Sequence, residues 1–121
     1  MKNDSLEHIQ SQERLLDQQL EESVYEEKKL RHLQEENEEF FFKTNQVFDG
    51  VLEQFSQNQF AWYLEDQLAG LRHDHQRLQF AFEEEFQEQK QQRQSIEEQQ
   101  NDLAFERVRL QSQVEKMEVQ P

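Results

Sequence analysis

The stretch that decides the fold is LEDQLAGLRHDHQRLQFAFEEEFQEQKQQRQSIEEQQNDLAFERVRLQSQVEKM, running from Leu64 to Met117. Stepping alternately by four and three residues from Leu64 lands on Leu68, Leu71, His75, Leu78, Phe82, Glu85, Gln89, Gln92, Ile96, Gln99, Leu103, Glu106, Leu110, Gln113 and Met117. Ile96, Leu103, Leu110 and Met117 stand seven apart, with Phe86 and Val114 beside the line. A 3.5-residue repeat of this kind is the stripe that one helix presents to another in a coiled coil. Its second position is often polar, so the zipper is weak and needs help from another surface.

Working back towards the start, a rougher stripe collects Ile9, Leu16, Leu20, Leu30, Phe41, Phe48, Val51 and Phe55. Glu13, Glu27, Gln34, Asn37 and Thr44 interrupt it. Two stripes in one chain predict an all-α fold, a long antiparallel helical hairpin of coiled-coil-like helix-turn-helix form, as a single domain over residues 1–121. Its seam is Phe41, Phe48, Phe55, Leu68, Leu71, Leu78, Phe82, Ile96, Leu103 and Leu110. The turn is expected near 50–58, and two signals compete for it. Gly50 could end the first helix in a left-handed cap. Ser56-Gln57-Asn58-Gln59 reads as a Ser-x-x-Gln capping box, with Phe55 and Phe60 as its hydrophobic staple. The second signal is stronger and gives arms of equal length. Residues 1–20 and 118–121 are expected to fray.

Composition agrees. The chain has 121 residues, with 13 basic and 27 acidic, a formal net charge of −14, no cysteine and one proline, Pro121 at the end. Only 33% of residues are hydrophobic, against roughly 45–50% in ordinary globular domains, which argues against an α/β or all-β core. Disorder would match the charge, but ten phenylalanines argue against it, since disordered chains are poor in aromatics. Glutamine, of which there are 22, and Glu, Leu, Arg and Lys all favour helix. Nucleic-acid binding is disfavoured, because phosphate contact needs clustered Lys and Arg. The longest apolar run, Phe60 to Leu64, is far too short for a membrane span. The start carries no apolar signal segment, so cytoplasmic synthesis is expected, and any export would be signal-peptide-independent.

Aromatics concentrate between 40 and 63. Phe40, Phe41 and Phe42 sweep about 200° of helix surface, more than one seam covers. Phe80 and Phe82 diverge by the same angle, and Phe105 lies off the Leu103–Leu110 line. Phe40, Phe42, Trp62, Tyr63, Phe80 and Phe105 are therefore expected to face a protein partner. Residues 1–60 carry 14 acids and 6 bases, and residues 61–121 carry 13 and 7. The arms repel each other, which favours a less acidic partner over a second copy, although a homo-oligomer of the isolated chain is left open.

Catalytic and metal readings fail. His73 and His75 of the His73-Asp74-His75 run point about 200° apart on a helix. The acidic runs lack the pocket that shifts a catalytic pKa. Neither a glycine-rich phosphate loop nor a nucleophile elbow occurs. A non-enzyme without cofactor or metal is expected.

The run Phe40-Phe41-Phe42-Lys43-Thr44-Asn45-Gln46-Val47-Phe48, then Phe60-Ala61-Trp62, then Asp102-Leu103-Ala104-Phe105-Glu106-Arg107, resembles the small helical proteins encoded beside LXG-domain toxins. These accompany type VIIb (Esx-type) secretion in Gram-positive bacteria, and the likeness is to the second of the two types, over residues 35–115. The resemblance implies a targeting factor or chaperone. Its partners would be the helical N-terminal LXG domain of a toxin and a second small helical protein. Phe48-Asp49-Gly50 echoes the Trp-x-Gly turn of Esx hairpins with a different aromatic. The Phe80–Glu84 match to the export signal lies inside an arm and arises readily by chance, so export through the partners is expected. The competing expectation is a self-associating structural coiled coil, such as a secretion stalk or a prefoldin-like hairpin, with no toxin client.

Overall fold

A computed structural model describes the backbone of residues 2–119 and the side chains of residues 5–117. It holds two helices packed on each other, α1 (Lys2–Gln54) and α2 (Phe60–Val119), and no strand among the described residues. Residues 2–20 are helical, while Gln120 and Pro121, within the segment expected to fray, lie outside the described residues.

Gly50 does not end α1. It is helical, no described residue has a positive φ, and the helix runs four residues further. The last bond of that turn is donated by Phe55 N–H to the Val51 carbonyl at 3.0 Å. The cap of α2 also differs from the capping box. Asn58 supplies it, its Oδ1 accepting from Phe60 N–H at 3.2 Å and its carbonyl from Ala61 N–H at 3.0 Å. Asn caps a helix as well as Ser does, and at 58 it stands two residues before Phe60, whose N–H its side chain reaches.

The hairpin divides into two compact units. The terminal unit joins Met1–Glu26 to Glu88–Pro121. Its inward-facing apolar positions include Ile9, Leu16 and Leu20 on α1 and Ile96, Leu103, Leu110 and Val114 on α2. Polar cross-links sit between these layers, with Gln100 donating to Asp17 at 2.8 Å and Arg107 pairing with Glu13 at 3.5 Å. The turn unit is Glu27–Gln87. Its buried and half-buried apolar and aromatic positions include Leu30, Phe41, Phe48 and Val51 on α1 and Leu64, Leu68, Leu71, His75, Phe82 and Phe86 on α2, with Phe41 against His75.

On α1 the half-buried and buried positions follow the expected stripe, from Ile9 through Glu13, Leu16, Leu20 and onward to Val51. On α2 the stripe holds through Leu64, Leu68, Leu71 and His75 and then shifts. Gln79 rather than Leu78 turns inward, and Phe86, Arg93, Gln100, Arg107 and Val114 replace Glu85, Gln92, Gln99, Glu106 and Gln113. The reason is geometric. A straight α-helix makes 3.6 residues per turn and drifts about 20° per heptad from a strict seven-residue line. Two consecutive steps of four, His75 to Gln79 after Leu71 to His75, take up that drift. The shift turns Phe86 inward to a half-buried position where strict alternation would place Glu85. Leu78 is left 44% exposed.

The core is thin. Among the described residues the buried apolar side chains are Ile9, Leu16, Leu68 and Phe82, and none is sealed off completely. Each contributes about 1.5–3 kcal/mol relative to exposure, so most of the apolar surface of this chain stays partly wet.

Candidate protein-binding surface

The chemistry of the outer surface starts from the residues that the seam leaves out. Phe40 (65% exposed), Phe42, Trp62, Tyr63, Phe80 and Phe105 are all exposed, but they do not form one face. Phe40 and Phe42 lie about 200° apart around α1 and so belong to opposite flanks. Trp62 and Phe80 share a line on α2, about 27 Å apart along its axis. Beside the turn, Tyr63 meets Trp62 edge-on at 6.3 Å and Phe60 edge-on at 6.1 Å, forming an aromatic cluster with Phe60 and Trp62 mostly open to solvent. Phe55, expected in the seam, follows the end of α1 and is 42% exposed. Phe105 and its exposed neighbour Val108 belong to the terminal unit.

Two further residues complete a stripe that the reading of the sequence missed. Leu33, Phe40 and Val47 are spaced seven apart on α1, and all are more than half exposed. They fall on one line along the flank of the helix, spanning about 21 Å. Their spacing was visible in the sequence. Phe41 and Phe48, one residue on, define the seam and drew the same seven-residue signal to themselves.

Inside the turn unit the seam carries a polar cluster. The His75 ring stacks on Phe41 at 3.7 Å and 10°, and its Nε2 lies 3.1 Å from Glu38 Oε1. Gln79 Nε2 donates to the same oxygen at 3.0 Å. The Glu38 carboxyl is held below the usual carboxylate range, first by the Gln79 hydrogen bond and then by the His75 hydrogen bond and charge, with partial desolvation opposing. Glu39 is lowered by its hydrogen bond and ion pair with Lys43. Arg31 is tied to Glu27 at 2.9 Å and lies 5.9 Å from the centre of the Phe86 ring.

His73 is exposed while His75 is in the seam. Among the described residues no cluster of three His, Cys, Asp or Glu side chains forms that could hold a metal ion. No described helix is long and apolar enough to cross a membrane.

Fold and surface together define a two-helix hairpin protein with a thin seam and apolar residues left on its flanks. The chain belongs to the DUF3958 family, described as proteins of unknown function, whose pattern it matches over residues 4–110. No curated protein and no protein of known structure matches it.

Proposed function

We propose that this protein is a non-enzymatic helical adaptor, a targeting factor or chaperone. It binds the helical N-terminal LXG domain of a toxin, together with a second small helical protein, for type VIIb secretion. The observation that carries the reading is the set of exposed aromatics on so thin a core. Phe40, Phe42, Trp62, Phe80 and Phe105 are each more than 60% exposed, and exposed aromatic and apolar patches of this kind mark partner surfaces. The charge of −14 supports a partner other than a second copy, because self-association would double it. The identity of the client rests on the resemblance of the aromatic runs.

The test is co-expression with the N-terminal domain of the LXG protein encoded beside it and the neighbouring small helical protein. The expected result is a co-purifying complex that the Phe40→Ala/Phe42→Ala variant loses while keeping its melting temperature. Absence of any such neighbour, or no complex with it, sinks the reading. A homo-oligomer that alone protects these aromatics would support the self-associating coiled coil instead.

A further inference from the structure

The flank that carries Leu33, Phe40 and Val47 changes character along α1. Counting back by sevens from Leu33 gives Glu26, Gln19 and Gln12. One heptad position is thus polar three times in the terminal unit and apolar three times in the turn unit, with the change at the boundary between the units. The terminal unit shows what lies across from this position. There Gln12, Leu15 and Gln19 of α1 border a shallow groove with Gln99 and Asp102 of α2. Counting back by sevens from Gln99 gives Gln92, Glu85 and Leu78. Leu78 therefore occupies, in the turn unit, the α2 position that borders the same flank as Leu33, Phe40 and Val47. This also gives a use to the shift of the α2 stripe, which leaves Leu78 44% exposed.

We infer that this flank of the turn unit is the seat of a third helix, supplied by a different polypeptide. The occupant is one amphipathic helix with apolar residues at heptad spacing over about three turns or more, bordered by Lys and Arg. Spacing argues for a helix, since apolar residues set seven apart on one helix match the heptad seam of another. Charge argues for the bordering residues. The turn unit, residues 27–87, holds 13 acids against 6 bases, and two of those bases, Arg31 and Lys43, are already paired with Glu27 and Glu39. A basic helix relieves this excess, whereas a second copy of the chain adds to it. The proposal refines the adaptor reading and rests on it for the source of the helix, a helix of the client's N-terminal domain.

The experiment uses the full chain and two synthetic helical peptides of about three heptads. One carries Leu at its seam positions with Lys and Arg beside them, and the other has the same composition scrambled. Binding is followed by calorimetry at about 150 mM salt, where diffuse charge attraction is screened. The heptad peptide should bind and the scrambled one should not. Leu33→Gln/Phe40→Gln/Val47→Gln should weaken binding by on the order of tenfold or more, while Val108→Gln, at an exposed apolar position of the terminal unit, should leave it unchanged. Single Phe40→Gln is the fallback if the triple variant loses its helical signal. Equal binding of both peptides, or binding indifferent to the flank variants, overturns the proposal. So does a dimer of the chain that the triple variant dissolves, which would make a second copy the occupant. Toxin-domain capture that survives the triple variant sinks the flank and spares the adaptor. Peptide binding without toxin capture sinks the adaptor and spares the flank.

Discussion

At the scale of single residues, the hairpin separates side chains that look alike in sequence. Phe82 is 7% exposed and Phe80, two residues earlier, is 62% exposed. Phe82→Ala should cost about 3–5 kcal/mol, whereas Phe80→Ala should stay within about 0.5 kcal/mol. Urea unfolding of the two variants checks this, and equal losses would refute the orientation of α2 there. Glu38 offers a pH readout. Its folded-state pKa is depressed, so its contribution is present above its ordinary pKa of about 4.3 and is lost as pH falls through the folded value. The stability gap between the wild type and Glu38→Gln should therefore be open at pH 6 and close on acidification towards pH 3. Using the difference removes the background of the remaining carboxylates, whose mutual repulsion acidification relieves. A gap that widens on acidification would contradict the Gln79–Glu38–His75 cluster.

At the scale of the elements, the turn and the glycines carry the tests. Asn58 rather than Ser56 caps α2, so Asn58→Ala should lower stability by about 1 kcal/mol and Ser56→Ala by far less. The reverse order would restore the capping box. Gly50 and Gly70 both lie inside helices, and a Cβ added at either meets nothing within 4 Å. Gly50→Ala and Gly70→Ala should each raise stability by about 1 kcal/mol, read as a higher melting temperature. The helices themselves were legible, because proline is confined to Pro121 and the α1 stripe from Ile9 to Val51 keeps its seven-residue spacing throughout. The position of the turn was legible to within a few residues. Its capping atom was not, since Gly50, Ser56 and Asn58 all suit a helix end and only the hydrogen bonds choose among them.

At the scale of the whole molecule, like charge works against the pairing of the helices. The turn unit carries 13 acids and 6 bases and the terminal unit 14 and 7, so each is net negative by seven. Raising salt from about 10 to 150 mM shortens the Debye length from about 30 to 8 Å. The melting temperature should rise over that range, and a fall would mean that cross-helix ion pairs such as Arg107–Glu13 outweigh the repulsion. Much about this protein follows from its sequence alone: helix throughout, two arms, a seam of alternating apolar and polar positions, and too little core for its aromatics. Spacing along a chain dictates which residues share a line on a helix, and these properties need nothing more. The tertiary structure decided which of two neighbouring lines faces inward. Phe86 turns in and Leu78 turns out, and Leu33, Phe40 and Val47 are left on a flank. That choice lies outside the repeat itself, because a helix of 3.6 residues per turn slips against a 3.5-residue pattern and only contact with the other arm sets where the slip is taken up.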